Sequence, residues 1–418
     1  PRGDGGVWHE RAGLNSAGTK AFASAQRKKQ KADGAGHERV PRGDGGVWHE
    51  RAGLNSAGAK AFASAQRKKQ KEGMKMLYFD SDYMEGAHPE ILRRLSQSNL
   101  EQNPGYGADK YCESAREKIR AACACPQAGV SFLVGGTQTN AVILDALLHR
   151  CEGVIAAETG HVNGHEAGAI EAGGHKVLAL RCPRGDGKLD AQSVADYAKR
   201  FYADENHEHI VPPGAVYLSQ PTECGTVYTK AELFALRAVC DTYHLALFAD
   251  GARLGYALAA PGNDVTLPVL AEVCDAFYIG GTKVGALFGE AVVLPNPARV
   301  RLFFTLTKRH GALLAKGFLL GLQFDALFTD NLYEHIAANA VHKAQRIRTA
   351  LREKGYVLTG ENPTNQIFIL LPDDKLKALQ QNISFGFWEK PDDAHTVVRI
   401  ATSWATTDQS VDKLIALL

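Results

Sequence analysis

Residues 248–253 read Phe-Ala-Asp-Gly-Ala-Arg, and residues 277–283 read Phe-Tyr-Ile-Gly-Gly-Thr-Lys. Each stretch begins with apolar residues and ends in charged ones. The charged residues are Asp250 and Arg253 in the first stretch and Lys283 in the second. Such apolar runs are typical of buried strands in a parallel sheet. Because ligands of open α/β sheets bind at the carboxyl ends of the strands, we expect Asp250 and Lys283 to lie in one ligand site.

An acid and a lysine at neighbouring strand ends suit pyridoxal phosphate (PLP) as a cofactor. Lys283 would form the Schiff base, and its released amine can move protons. Asp250 would keep the pyridine nitrogen protonated, which makes the ring an electron sink. Arg253 would bind the cofactor's phenolic O3′ or help to hold the substrate. The alternatives are a solvated loop lysine, a helix cap at Asp250 and a surface ion pair at Arg253.

The sequence around these stretches alternates between apolar strands and helices. Strands are predicted at 153–157, 176–180, 215–219, 245–249, 276–279 and 290–294, with helices such as 191–202 and 230–243 between them. This alternation implies a mostly parallel sheet with crossover helices. Beyond residue 309 the pattern predicts helices at 311–328 and 332–354, strands at 366–371 and 397–402, and a closing helix.

We therefore expect a large α/β domain over residues 74–325 and a smaller C-terminal α/β domain over 326–418. The segment 74–100 is expected to contribute to the small domain or to an interface.

Residues 135–140, Gly-Gly-Thr-Gln-Thr-Asn, lie between a predicted strand at 130–134 and a predicted helix at 137–150. Glycines let the backbone approach an anion, and the free N–H groups of a helix start attract phosphate. The segment is neither a G-x-G-x-x-G fingerprint nor a P-loop. Alone it is typical of a structural turn; beside Asp250 and Lys283 it indicates a phosphate site.

Two further basic residues, His161 and Arg399, are candidates for contacts with the cofactor or the substrate. His161, just past a strand end, could stack on a pyridine ring; a structural histidine is the alternative, and His165 is a weaker candidate. Arg399, on a predicted strand, could grip a carboxylate with two hydrogen bonds or form a structural ion pair. The run 207–209, His-Glu-His, lacks a third ligand at metal spacing, so we expect a solvated loop and no metal.

The amino-acid composition limits the classes of protein to which the chain can belong. Hydrophobic residues make up 45% and charged residues 22% of the chain, as is ordinary for a globular protein. No apolar run reaches the roughly 18 residues of a membrane span, and no secretory h-region is visible. The eight cysteines show no zinc-like C-x-x-C pairs. We expect a cytoplasmic protein with reduced thiols and without nucleic-acid or membrane partners.

The N-terminal region differs from the rest of the chain. Residues 1–31 recur at 41–71 with one change, Thr19 to Ala59. Residues 1–73 carry 15 Lys+Arg against 7 Asp+Glu, whereas the remaining residues carry 33 against 39. The first methionine is Met74, and the globular pattern begins just after it. We expect this basic leader to be a disordered extension outside the fold, the alternative being a basic arm for nucleic acid or an anionic surface.

Together the motifs resemble the threonine aldolase and β-eliminating lyase family over residues 76–418. The resemblance implies fold type I of the PLP enzymes, the aspartate aminotransferase fold, and a homodimer or homotetramer with residues 106–109 near an interface. It implies phosphate binding by Gly136 and Thr137, ring stacking by His161, and carboxylate binding by Arg399 assisted by Ser81. Asp250, Arg253 and Lys283 stand in the matching cofactor motifs.

One stretch departs from the family pattern. Where threonine aldolases carry Glu-Asn-Thr-His, residues 220–226 read Gln-Pro-Thr-Glu-Cys-Gly-Thr. Glu223 replaces the histidine thought to help deprotonate the substrate's β-hydroxyl. A carboxylate could be that base if burial raised its pKa, or it could indicate another substrate.

The sequence thus predicts a PLP-dependent lyase with Lys283, His161 and Glu223 as catalytic residues. The expected reaction cleaves a β-hydroxy-α-amino acid such as L-threonine to glycine and an aldehyde. β-Elimination to pyruvate and ammonia, aminotransfer, and a non-catalytic scaffold with a PLP fold are the alternatives.

Overall fold

The computed structural model describes residues 76–300 and 302–418. The repeated leader and the expectation of its disorder lie outside the described residues. The described strands are β1 (Leu77–Tyr78), β2 (Gly129–Leu133), β3 (Gly153–Ala157), β4 (Val177–Leu180), β5 (Pro213–Ser219), β6 (Ala246–Asp250), β7 (Ala276–Gly280), β8 (Glu290–Leu294), β9 (Val357–Leu358), β10 (Gln366–Pro372), β11 (Ile383–Ser384), β12 (Gly386–Glu389) and β13 (His395–Ala401).

Helices occupy much of the chain between these strands. They are α1 (Pro89–Ser98), α2 (Lys110–Ala122), α3 (Gly136–Leu147), α4 (His161–Gly164), α5 (Ala169–Ala172), α6 (Ala191–Ala203), α7 (Lys230–Tyr243), α8 (Leu254–Leu258), α9 (Leu267–Val273), α10 (Phe303–Arg309), α11 (Phe318–Leu327), α12 (Leu332–Glu353), α13 (Asp373–Leu379) and α14 (Asp408–Leu417). The run at His207–His209 forms a short 3-10 helix. Within the described residues, no helix combines the length and the apolar character that crossing a bilayer requires.

The large sheet has seven strands in the order β2-β8-β7-β6-β5-β3-β4. Strand β8 is antiparallel to both of its neighbours, and the pairs from β7 to β4 are parallel. Every residue of β5 is buried, as expected of a strand covered on both faces. The mostly parallel sheet confirms the predicted fold class.

Side chains on the two faces of the large sheet pack in two different hydrophobic cores. Ile279 and Val293 lie in one core, whereas Tyr278 and Val292 lie in the other, which also holds Ile143 of α3. This alternation follows from the two-residue period of strand side chains. It fixes which side chains of β7 and β8 point towards α3.

A second sheet of four antiparallel strands has the order β12-β13-β10-β9. Strand β1 pairs in parallel with β11, and Phe79 packs in the same core as Ile367 and Val398 of the second sheet. The start of the described chain therefore packs with its C-terminal part. The domain boundaries predicted near residues 73 and 325 stay predictions.

One predicted helix was wrong in part. A helix was expected over 311–328, but α10 ends at Arg309 and α11 begins only at Phe318. Gly311 has a φ of +66°, a left-handed conformation that ends a helix. The other predicted elements have ends within a few residues of those observed, the normal uncertainty of helix and strand boundaries.

Candidate active site

Glycines in the stretches 248–253 and 277–283 allow the carboxyl ends of β6 and β7 to lie close together. The amide of Gly280 donates to the carbonyl of Gly251 at 2.9 Å. A Cβ atom on Gly251 would collide with the carbonyl oxygen of Tyr278, so a side chain there would force the strand ends apart. Asp250 and Lys283 consequently emerge beside each other at the edge of the sheet.

A cavity of about 290 Å³ lies at this edge. Its lining includes the predicted residues Gly136, Thr137, His161, Glu223, Asp250, Arg253 and Lys283. Ser81 and Arg399, predicted to bind substrate, do not line it. A larger cavity of about 830 Å³ contains Arg184 and Lys188, but both are paired with Glu232. The smaller cavity is therefore the candidate active site.

Asp250 is held as a carboxylate at the bottom of the site. Its two oxygens accept hydrogen bonds from the hydroxyls of Tyr278 at 2.5 Å and Tyr217 at 2.7 Å, from Nδ2 of Asn140 at 3.0 Å and from the amide of Ala252 at 2.9 Å. Burial alone would raise the pKa of Asp250, but these donors outweigh it and lower the pKa. An ionised carboxylate here fits a partner for a pyridinium nitrogen.

Lys283 follows the Gly-Gly-Thr turn into the cavity. Burial, followed by the positive charge of Arg253, lowers the pKa of the Lys283 amine. The hydroxyl of Tyr256 donates to the Lys283 carbonyl at 2.5 Å, which fixes the backbone beneath the side chain. An amine with a lowered pKa is more readily present as the free base that attacks a carbonyl.

His161 is oriented by a carboxylate that the sequence analysis missed. Its Nδ1 atom lies 2.7 Å from Oε1 of Glu166, whose side chain is fully buried. Although burial lowers the pKa of His161, the hydrogen bond to Glu166 and the charge of Asp250 raise it above its usual value. His165 does not line the cavity, and its ring lies 5.7 Å from that of His161.

Arg253 is paired with a second acid that was missed. Its Nε and Nη2 atoms donate to Asp82 at 2.7 and 3.0 Å, and Asn365 donates to the same carboxylate at 3.0 Å. Asp82 is fully buried; burial would raise its pKa, but the charge and hydrogen bonds of Arg253 lower it to about 2. The ion pair considered for Arg253 is therefore present but internal rather than on the surface.

Arg399 and Ser81 lie near this pair, and each has a buried polar atom without a hydrogen-bond partner among the residues that the structure describes. Arg399 donates to the carbonyl of Asp80 at 2.8 Å and to Gln366 at 3.2 Å, while its Nε atom is unpaired. The Ser81 hydroxyl is also buried and unpaired. Two unsatisfied donors are what a carboxylate ligand would use.

Comparison with known proteins places this geometry in a family. The sequence profile of the beta-eliminating lyases matches residues 79–373. The chain belongs to the beta-eliminating lyase family. This membership confirms the expected class of PLP-dependent lyase.

Several relatives of this lyase carry more specific names. A low specificity L-threonine aldolase of Pseudomonas sp. is 30% identical over 341 residues, which cover 81% of this chain and 96% of that protein. One from Saccharomyces cerevisiae is 26% identical, covering 66% of this chain and 70% of its own. The solved threonine aldolase of Leishmania major is 40% identical with a TM-score of 0.78, covering 82% of this chain and 98% of that one.

More distant structures establish only the fold of this lyase. An aspartate aminotransferase of Thermus thermophilus superposes with a TM-score of 0.61 at 14% identity, covering 88% of this chain and 96% of that one. The predicted aspartate aminotransferase fold is thereby confirmed.

The residues of the candidate active site fit PLP at both ends of the cofactor, the ring nitrogen and the phosphate group. Asp250 is an ionised acid of the kind that a pyridinium nitrogen would pair with. Helix α3 begins at Gly136 on the cavity wall, and its N-cap residue Gly135 offers no capping side chain to the first N–H groups. Such a helix start is an anion site, which suits the cofactor's phosphate.

Proposed function

We propose that the protein cleaves the Cα–Cβ bond of a β-hydroxy-α-amino acid of the L-threonine type to glycine and an aldehyde. The observation that carries this proposal is Glu223, a second acid that lines the same cavity as Lys283. The names of the Pseudomonas and Leishmania relatives support the same reaction.

Glu223 is suited to act as the base. Its Oε1 atom accepts hydrogen bonds from the Ser219 hydroxyl at 2.7 Å and from the His161 amide at 2.9 Å. Burial raises the pKa of Glu223 despite these donors. A carboxylate with a raised pKa is a stronger base, and its orientation is fixed by two hydrogen bonds.

The cofactor and the residues of the site have distinct roles in the proposed reaction. Bound PLP supplies the electron sink that accepts the electron pair of the broken bond. Glu223 takes the proton of the β-hydroxyl, whose oxygen then forms the carbonyl of the leaving aldehyde. One proton is added at Cα to complete glycine, so that no proton is gained or lost overall. Asp250 keeps the ring nitrogen protonated, and Lys283 supplies the amine for cofactor attachment. Arg399 and Ser81 hold the substrate carboxylate with their unpaired donors.

β-Elimination is the second candidate. It is favoured by the family match, since the profile that matches residues 79–373 is that of the beta-eliminating lyases. The two candidates share Lys283 and Asp250 and differ in their products.

Product analysis separates the candidates. Purified protein supplied with PLP is incubated with L-threonine and, separately, with L-serine. Glycine and acetaldehyde from threonine support the proposal, whereas pyruvate and ammonia without threonine turnover support β-elimination. Turnover of neither amino acid by a protein that carries the visible band of bound cofactor would contradict both. Lys283→Ala, which should lose the band, is compared with Lys188→Ala, a lysine outside the candidate active site.

We also infer that the protein is a cytoplasmic homodimer or homotetramer. Tyr83 lines the cavity although it is 56% exposed, and Leu287, the chain neighbour of the cavity residue Phe288, is 41% exposed. Exposed apolar side chains beside a site support burial by another subunit. Light scattering after gel filtration should give a mass of two or four chains, and a single-chain mass would contradict the oligomer.

A further inference from the structure

Glu290 is a buried acid of the candidate active site with no role in the reaction described above. It opens β8 and pairs with Leu133 of β2 on one side and with Gly280 of β7 on the other. Only 3% of its surface is exposed. Glu290 therefore stands between the strand that leads to α3 and the strand that leads to Lys283.

The strand period fixes the direction of the Glu290 side chain. Glu290, Val292 and Leu294 share one face of β8, and the latter two pack in the core that also holds Ile143 of α3. Glu290 thus points to the face of the sheet that α3 covers, at the edge where α3 begins. It lines the cavity together with Gly136 and Thr137.

Two short-range donors hold the carboxyl group in place. Oε1 accepts from the Thr282 hydroxyl at 2.8 Å, and Oε2 accepts from the Gly281 amide at 3.2 Å. Lys283 acts on it through its charge and not through a hydrogen bond. The longer contact leaves Oε2 as the oxygen better placed to carry a proton.

The surrounding charges favour the protonated acid. Burial is the main cause that raises the pKa of Glu290, to about 8, against the lowering effects of the Thr282 hydrogen bond and the Lys283 charge. The nearby carboxylate of Asp250 raises it further, while the phenols of Tyr278 and Tyr333 face it as neutral groups. A phosphate group in the same cavity would repel an ionised Glu290 and accept a hydrogen bond from a protonated one.

We propose that Glu290 is a further cofactor-binding residue, a protonated carboxylic acid that donates to the phosphate group of PLP, which the start of α3 would also bind. The inference rests on the proposed function, because it needs PLP in this cavity. Phosphate binding and ionisation of Glu290 then oppose each other. Affinity for PLP must fall as the pH rises through the range in which Glu290 loses its proton.

The test measures the Kd of the apoprotein for PLP, and for pyridoxal, between about pH 6 and about pH 10. Glu290→Gln is isosteric with the protonated acid and retains an acceptor for Thr282. Above the Glu290 pKa, the ratio of wild-type to variant Kd for PLP should rise by up to about tenfold per pH unit. With pyridoxal, which lacks the phosphate, the ratio should stay constant.

Glu208→Gln is the control, because it removes an exposed acid outside the cavity and should keep the wild-type slope. A second readout is proton uptake: above the Glu290 pKa, wild-type protein should take up more protons on binding PLP than Glu290→Gln does. Equal slopes for wild type and Glu290→Gln, or the same change of ratio with pyridoxal, would overturn the proposal.

The result is separable from the proposed reaction. A pH-dependent ratio without threonine cleavage would leave Glu290 as a phosphate-binding residue and reject the aldolase activity. Cleavage with a constant ratio would reject the role of Glu290 alone. Absence of saturable PLP binding by wild-type protein would overturn both.

Discussion

The carboxylates of Glu166 and Asp250 share one hydrogen-bond donor, Nδ2 of Asn140, at 2.6 and 3.0 Å. A single amide therefore couples Asp250, the acid proposed for the ring nitrogen, to the acid that orients His161. The donor also reduces the repulsion between two buried negative charges. Asn140 belongs to the segment predicted to bind phosphate, but the structure gives its side chain this bridging position.

Replacing Glu166 by Gln should lower the pKa of His161, because the carboxylate that stabilises the imidazolium is removed. The midpoint of the His161 ring resonances in an NMR titration should move to lower pH, with His161→Asn used to assign them. Glu171→Gln, a change at an exposed acid in α5, is the control and should leave the midpoint unchanged. An unaltered midpoint in Glu166→Gln would contradict the orienting role.

Replacing Glu223 by Gln should reduce kcat for L-threonine by about 10²–10⁴-fold, the usual range for loss of a general base. The visible band of bound cofactor should remain, since Glu223 does not attach it. Because the base must be ionised and its pKa is raised, wild-type activity should fall on the acid side at a pH above the usual carboxylate range.

Two further variants sharpen this prediction. Glu223→His introduces the base that threonine aldolases usually carry and should recover part of the lost kcat. Glu208→Gln changes an exposed acid in the 3-10 helix and should behave as wild type. Full activity of Glu223→Gln would show that another group removes the hydroxyl proton.

The parts of the site that were predicted are those encoded in short stretches of sequence. Asp250 and Lys283 each end an apolar strand, and the glycines beside them are needed where Gly251 and Gly280 meet. Their position at adjacent strand ends follows from the parallel sheet.

The residues that were missed depend on contacts between distant parts of the chain. Asp82 meets Arg253 across 171 positions, and no local pattern marks that pairing. Glu290 was predicted only as the first residue of a strand; its place beside α3 requires the order of the sheet. Glu166, five positions after His161, could have been noticed by its spacing, but nothing in the sequence shows that it is buried.

Replacing Asp82 by Asn should destabilise the protein by about 3 kcal/mol at neutral pH, because the charge of Arg253 loses its partner in a buried setting. The folded-state pKa of Asp82, about 2, lies below its unfolded value, so its stabilisation is complete above the unfolded pKa. It is lost as the pH falls through the folded pKa. The difference between wild type and variant should therefore shrink between about pH 4 and about pH 2.

Urea unfolding followed by circular dichroism at several pH values measures this effect. Asp393→Asn, at an exposed acid, is the control and should differ little from wild type at any pH. A difference that is constant down to about pH 2 would mean that the ion pair with Arg253 is not its source.

Replacing Arg399 by Lys should raise the KM for L-threonine by about 10–100-fold, because an ammonium group cannot reproduce the planar guanidinium that presents its Nε donor to the substrate carboxylate. The Kd for PLP should not change, since Arg399 does not line the cavity that Asp250 and Lys283 share. Arg346→Lys, at a surface pair with Asp408, is the matched control and should leave both constants unaltered. Weaker PLP binding with an unchanged KM would assign Arg399 to the cofactor rather than to the substrate.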